Sequence, residues 1–511
     1  ERFNPLMKHL YASLFAACMV APAAFGAVTC DDIPKANIFH AFNWKFTDIQ
    51  SELDRIAAAG YGAVQVSPVQ GNCKENAEWY YAYMPYDFAM GTSFSKRNGN
   101  GTRDELKALC EAANAKGVQI IVDVVPNHVN SKDNNRDKFW RNDAHQRDKG
   151  YVNYDSRNSI ITGKLGEYLD VISEDKEVRD RAAAFVKDLK SLGVTGIRWD
   201  AAKHIGLPDE GCDFWPDVTA EAGMWHYGEI LDNPGGGNAS SWAILRDYTN
   251  YMSVTDNSYC DANLSAFGSG SLPKKDGGHT RPASEGKAGI SGSKVVLWGE
   301  SHDTFSNKSG ASKNRSQDVV DRAYMFVACR DKEAAIYFSR PNDANGNPVK
   351  AYGDIRMGFK GSVNGLENPA VIAVNNFRKA MTGRADCVTV SDAAASITRQ
   401  GGGAVIILPT ATEKQVTATN GSAYLPSGDY KDIISGNTFH VTSSSISGKV
   451  GSTGVAVLAV EGTMGVDGII ADEADADAIP VYYNLQGQRV ANPSGGVFIR
   501  RTGSRAEKVI L

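Results

Sequence analysis

Gly196-Ile-Arg-Trp-Asp-Ala-Ala-Lys-His204 is the stretch whose reading decides the fold. It begins as a short apolar run and turns abruptly to charged and small residues. Arg198 and Asp200 stand two apart, so on extended backbone both side chains leave the same face. A buried strand that ends in a paired cation and carboxylate is how a (β/α)₈ barrel presents reactive groups, at the C-terminal ends of its strands. Working outward, β-rich runs recur at 38–44, 61–67 (stopped by Pro68), 118–125, 225–231, 251–255, 294–299 and 334–338. Amphipathic stretches such as 46–59 and 106–116 alternate with them, the second ending at Gly117. Repeated βα units imply a parallel sheet, and eight strands close a barrel.

Two regions break the alternation. Between His128 and Leu169 the chain is polar and turn-rich, too long for an ordinary connection, and reads as a small inserted domain after the third strand. Past residue 380 the helical pattern stops, and Val, Thr, Ser and Gly alternate with period two, the pattern of an antiparallel β-sandwich. The expected organisation is therefore upstream residues and a signal peptide at 1–27, a catalytic barrel over 31–127 and 170–380, and an inserted domain at 128–169. A β-sandwich at 381–462, an acidic linker at 463–480 and a short β-rich module at 481–511 follow. The sandwich carries no evident aromatic cluster, so a structural role is expected for it.

At 511 residues, with 42% hydrophobic and 22% charged residues, the chain has the make-up of a multidomain globular protein. A net charge of −5 over that length argues against nucleic acid as a partner and suits neutral substrates. Met7-Lys8-His9, the apolar run 10–21 and the small residues around Ala24-Phe25-Gly26 have the layout of a secretory signal, predicting export. Eight cysteines occur, with Cys18 inside that signal; the remainder permit disulfides without specifying them.

The charged strand ends carry the chemistry. Arg198 beside Asp200 favours the ionised carboxylate that a nucleophile needs. Glu229 closes the apolar run Trp225-His-Tyr-Gly-Glu229, where desolvation would help it keep the proton of a general acid. Asp303, next to His302, adds a third carboxylate at the end of another strand. Two carboxylates with different jobs are the minimum equipment for cleaving a glycosidic bond.

Four ordered motifs complete the pattern: Asp123-Val-Val-Pro-Asn-His128, the 196–204 stretch, Gly228-Glu-Ile-Leu231 and Trp298-Gly-Glu-Ser-His-Asp303. With His40-Ala-Phe-Asn-Trp44, Trp79-Tyr-Tyr-Ala-Tyr-Met-Pro-Tyr86, Phe214-Trp-Pro216 and Phe338-Ser-Arg-Pro341, they make residues 36–462 resemble the α-amylases of the main (β/α)₈ family of α-glucan-active glycoside hydrolases, in the bacterial saccharifying branch. The resemblance implies endo-hydrolysis of α-1,4-glucosidic bonds in starch, glycogen and maltodextrins, with Asp200 as nucleophile, Glu229 as acid/base and Asp303 as transition-state stabiliser. Retention of configuration then implies that Asp200 and Glu229 lie about 5–5.5 Å apart.

The same resemblance gives His128 and His302 to the sugar at the cleavage point, with Asp123 and Arg198 supporting the nucleophile. It gives Lys203 and His204 to the leaving-group side and makes Trp79 and Tyr83 aromatic platforms, and Tyr80 is expected to face the cleft beside them as a further substrate contact. It implies a structural calcium held by Asn127, Asp170 and the backbone carbonyl of His204, with Asp143 and Asp155 as further candidate ligands. Two departures stand out: Ser301 replaces an Asn that helps hold chloride in animal-type relatives, so no chloride is expected, and Met84 replaces a common Gln. A short inserted domain suggests an open cleft. The 481–511 module resembles sorting or anchoring tails of secreted bacterial proteins, which implies cell-surface attachment; a monomer is expected. The alternatives are a transglycosylase or small-maltooligosaccharide hydrolase of the same family, and a non-catalytic starch-binding surface protein.

Overall fold

The computed structural model describes residues 29–464, apart from 73–75, 131–134, 232, 237–240 and 274–281, together with 481–483, 489–490, 497–502 and 505–510. The signal segment and nearly all of the acidic linker lie outside the described residues.

Eleven strands lead from the N-terminus to the end of the barrel: β1 Asn37–Ala41, β2 Ala63–Val66, β3 Gln119–Val124, β4 His128–Val129, β5 Gln146–Arg147, β6 Leu169–Val171, β7 Gly196–Trp199, β8 Trp225–Gly228, β9 Ser253–Thr255, β10 Val295–Trp298 and β11 Ala334–Phe338. Eight of them close a parallel barrel in the order β1-β11-β10-β9-β8-β7-β3-β2. Its strands are buried throughout, as expected when one face fills the barrel and the other meets the surrounding helices. That burial is why these segments read as apolar runs without alternation.

Register places the reactive groups. Asp123 on β3 is the direct partner of Arg198 on β7, which is the partner of Tyr227 on β8. Sheet-like bonds continue one residue beyond the strands: Asp200 N–H donates to the Val124 carbonyl and Glu229 N–H to the Trp199 carbonyl, each at 2.9 Å. Both carboxylates thus stand on backbone fixed by the barrel rim. Gly228 is required there, because a Cβ would lie 2.5 Å from Met252 Sδ and 3.0 Å from Ala202 Cβ.

The insertion after β3 forms a three-stranded antiparallel sheet in the order β4-β6-β5. It closes with Asp170 and Val171, two residues past the predicted 128–169, because β6 pairs directly with β4 at His128↔Asp170. Two four-stranded antiparallel sheets, between Asp386 and Ala459, make the sandwich. Its own core includes Leu425, Phe439, Ile446 and Leu458. Arg399, 1% exposed, fastens it to the barrel by donating to the carbonyls of Cys329 (2.9 Å), Arg330 (3.1 Å) and Met381 (2.7 Å). Four short strands between Val481 and Ile510 form a separate antiparallel sheet. No disulfide joins any two of the described cysteines.

Candidate active site

One guanidinium organises the C-terminal rim of the barrel. Arg198, 4% exposed, donates from Nη1 to Asp123 (2.8 and 3.0 Å) and to Asp200 Oδ1 (2.6 Å). Its Nη2 lies 3.0 Å from Glu229 Oε2. The same Glu229 oxygen accepts the Ala201 N–H at 2.9 Å. Ala201 reaches it from a left-handed conformation, φ 47° and ψ 31°. A residue with a Cβ held there carries strain of about 1–3 kcal/mol, a pattern concentrated at functional sites.

The setting of Glu229 corrects the sequence reading, which surrounded it with apolar groups. The strand behind it is apolar, but its carboxylate faces a cation and a backbone donor. Asp123 and Asp200 share that guanidinium, and like charges this close cannot all ionise freely. Burial pushes Asp123 up to about 6, against the pull of Arg198. Burial lifts Asp200 well above the ordinary carboxylate range, and the charges of Glu229, Asp123 and Asp303 add to it while Arg198 opposes. Burial also raises Asp303, which is held down in turn by Arg198, Asn307 and a hydrogen bond with Glu229.

Asp303 is not at a strand end, as the sequence suggested. β10 stops at Trp298, and Asp303 lies in the first turn of a short helix, His302–Ser306, capped by Ser301, whose hydroxyl accepts the Thr304 N–H. Asn307 Nδ2 donates to Asp303 Oδ1 at 3.0 Å and fixes the carboxylate.

A cleft of about 390 Å³ runs over this cluster, and Asp200, Glu229 and Asp303 line it. Trp79, Tyr80 and Tyr83 line it, as do His128, His302, Lys203 and His204. His302 stacks on Tyr83 (5.2 Å, 6° between planes), and burial brings it down to about 3. Burial brings His128 and His204 down to about 4. All three rings are therefore neutral at neutral pH. His128 Nε2 is bonded to the Tyr83 carbonyl at 3.0 Å, while its Nδ1 and the Trp79 Nε1 are buried with no hydrogen-bond partner among the described residues. Tyr83 also donates to Asp123 at 3.1 Å, which ties the platform to the nucleophile's support.

Tyr80 faces the cleft as expected, its ring stacked on Tyr81 (5.2 Å) and Tyr352 (5.0 Å). Sequence reasoning missed Tyr352, Tyr154 and Asn307, all in irregular connections. For Tyr154 a signal existed in its place on the polar insertion, and the Lys203 ammonium lies 5.1 Å from its ring.

The predicted calcium ligands converge. The Asn127 amide oxygen faces Asp170 Oδ1 at 3.3 Å and the His204 carbonyl at 3.2 Å. Three oxygens gathered with no proton between them suit a hard cation; turned over, the amide would instead donate to both. Arg147 neutralises the other Asp170 oxygen and also pairs with Glu174. Asp143 and Asp155 are exposed, and among the described residues no contact links either to this trio. Asp331, Glu333 and Asp386 also meet at the sandwich seam. Arg330 is paired with Glu333 there at 3.2 Å, as expected of a structural ion network.

Residues 45–229 match the model of the α-amylase catalytic domain family. The chain is 31% identical to an α-amylase of Butyrivibrio fibrisolvens over 487 residues, covering 84% of this chain and 48% of that protein. It spans about half the length of the curated relatives it matches. Among solved structures, an α-amylase from Malbranchea cinnamomea superposes with a TM-score of 0.65 at 17% identity, covering 86% of this chain and 98% of that one. A maltohexaose complex of α-amylase I from Eisenia fetida gives 0.60 at 18%, covering 84% and 98%. On sequence motifs, fold and these matches together, the chain carries a catalytic domain of the α-amylase family.

Proposed function

We propose that this protein is a retaining endo-α-1,4-glucan hydrolase of starch, glycogen and maltodextrins. The observation that carries the reading is Arg198 holding Asp123, Asp200 and Glu229 together beneath an aromatic cleft that Asp303 also lines. The match to proteins named α-amylase supports it, as does a neighbour solved with maltohexaose.

In the first step an Asp200 oxygen attacks the anomeric carbon as the glycosidic C–O bond breaks, and Glu229 gives its proton to the departing oxygen. The Arg198 bond at 2.6 Å favours the anionic form of Asp200. In the second step Glu229 takes a proton from water, the hydroxide attacks the same carbon, and Asp200 leaves as carboxylate. Asp303 stabilises positive charge on the distorted ring. His128, His302 and Tyr83 hold the ring at the cleavage point, and Lys203 with His204 meets the leaving side.

Asn127, Asp170 and the His204 carbonyl would hold calcium, whose service is structural: it pins the insertion to the barrel beside the cleft. The Ser301 hydroxyl is engaged by Thr304, which supports a site without chloride. The signal-like leader supports an extracellular protein, and the C-terminal module supports attachment to the cell surface.

The test is soluble-starch hydrolysis with product sizing, for the protein and Glu229→Gln side by side. Rapid loss of iodine colour with mixed maltodextrins, absent in the variant, is expected. Equal activity in the variant would overturn the assignment, and an inert parent protein would favour a binding role.

A further inference from the structure

One guanidinium of the insertion, remote from the carboxylates, ties three segments together. Arg157 opens the short helix Arg157–Thr162, and its side chain is 12% exposed. Nε and Nη2 each donate to one oxygen of Glu210 at 2.7 Å. Nη1 donates to the Lys203 carbonyl at 2.9 Å and to the Pro234 carbonyl at 3.1 Å. Nη2 also donates to the Tyr248 hydroxyl at 2.9 Å. A guanidinium has five N–H donors in a fixed plane, and here each has an acceptor.

The partners extend the grip. Tyr248, fully buried, donates its hydroxyl to the Ile205 carbonyl at 2.7 Å. Glu210 Oε2 accepts the Leu207 N–H at 2.9 Å. The Ile160 carbonyl, on the same helix as Arg157, is bonded to His204 Nδ1 at 2.8 Å. Residues 203, 204, 205 and 207 are thus each tied to this helix, directly or through one partner. Pro234 lies in the connection after β8, where Gly236 packs so tightly on the insertion that a Cβ would lie 2.9 Å from the Asp155 carbonyl. Tyr154, whose ring faces the Lys203 ammonium, stands three residues before Arg157.

With all five donors engaged, Arg157 has none to offer a sugar, and any effect on the reaction passes through the residues it holds. We propose that Arg157 is the positioning residue for the leaving side of the cleft. It fixes Lys203 and His204 against Tyr154 and the connection after β8, so that the sugar on the departing oxygen is aligned for cleavage. The proposal rests on the hydrolase reading, which puts Lys203 and His204 on that side.

Arg157→Lys keeps the charge but has three donors for five acceptors. Tyr248→Phe is the milder variant, removing one hydroxyl and releasing the Ile205 carbonyl. Two substrates separate positioning from general damage. Maltoheptaose leaves glucosyl units on the leaving side, whereas the atom departing from α-maltotriosyl fluoride is a lone halide. Arg157→Lys should lower kcat/KM on maltoheptaose by about 10- to 100-fold, the range for a displaced positioning group, and alter that on the fluoride little. Tyr248→Phe should show the same selectivity at about three- to tenfold, the scale of one neutral hydrogen bond. If Arg157→Lys does not fold, as read by circular dichroism, Tyr248→Phe decides alone.

Equal loss on the two substrates, or no loss on either, would overturn the role of Arg157 and leave the hydrolase reading intact. A parent protein inert on both substrates would instead remove the hydrolase reading, and the leaving side with it.

Discussion

Nη1 of Arg198 donates both to Asp123 and, at 2.6 Å, to Asp200, while Nη2 of the same group lies 3.0 Å from Glu229. A planar fork can serve three carboxylates from one position; an ammonium cannot. Arg198→Lys should therefore fold but lose on the order of 10²–10³ in kcat, the scale of removing one preorganised donor. Comparing kcat on soluble starch with the far-ultraviolet circular dichroism of the same sample checks it. A variant with kcat near that of the parent would show that the fork is dispensable.

The carboxylate cluster sets the acid side of the pH profile. Asp200 must be ionised to attack, yet burial and its acidic neighbours lift it, and burial holds Asp123 at about 6. The acid limb of kcat/KM should lie above the ordinary carboxylate range, with an apparent pKa that belongs to the cluster rather than to one residue. A limb at the value of a free aspartate would contradict this.

The same burial makes the site a stability liability. A carboxyl whose folded pKa exceeds its unfolded one binds more protons when folded, so stability falls as pH rises through that interval. Asp200 is such a group. Asp200→Asn, inactive, should melt about 2–4 °C above the parent protein at neutral pH, the shift expected for roughly 1 kcal/mol. The gap should close on acidification through the carboxylate range. Calorimetry across pH reads it, and a lower melting temperature at neutral pH would mean that the carboxylate is net stabilising.

Much of this was legible in the sequence because the barrel strands are buried on both faces. All eight stand out as apolar runs, and the motif residues Asp123, Arg198, Asp200 and Glu229 fall at their ends. Harder to read was whatever depends on how connections fold. Asp303 looked like a strand end but sits on a helix begun by Ser301. Tyr352 lies in the long irregular connection after β11, where no periodicity marks it, and backbone bonds from Trp79 to Ile355 and from Met357 to Ala77 bring that connection to the cleft. The polar neighbours of Glu229 were hidden for a similar reason: Arg198 comes from the adjacent strand and Ala201 from a left-handed turn.

The calcium assignment has its own readout. Chelation should lower the melting temperature of the parent protein by several degrees, since a ligand at about 100 times its Kd stabilises by about 2.7 kcal/mol. Asn127→Ala should start lower and lose the response. An unaltered transition under chelation would mean that the Asn127 amide is turned to donate to Asp170 and His204 without an ion.

The most direct test of the central claim, double displacement at Asp200 with Glu229 as acid/base, is anomer-resolved proton NMR of maltooligosaccharides in the first minutes of cleavage. Product appearing first as the α-anomer, and absent with Glu229→Gln, is the predicted result. Initial β-anomer would mean direct attack by water without the Asp200 intermediate, and undiminished cleavage by Glu229→Gln would mean that the proton comes from another group.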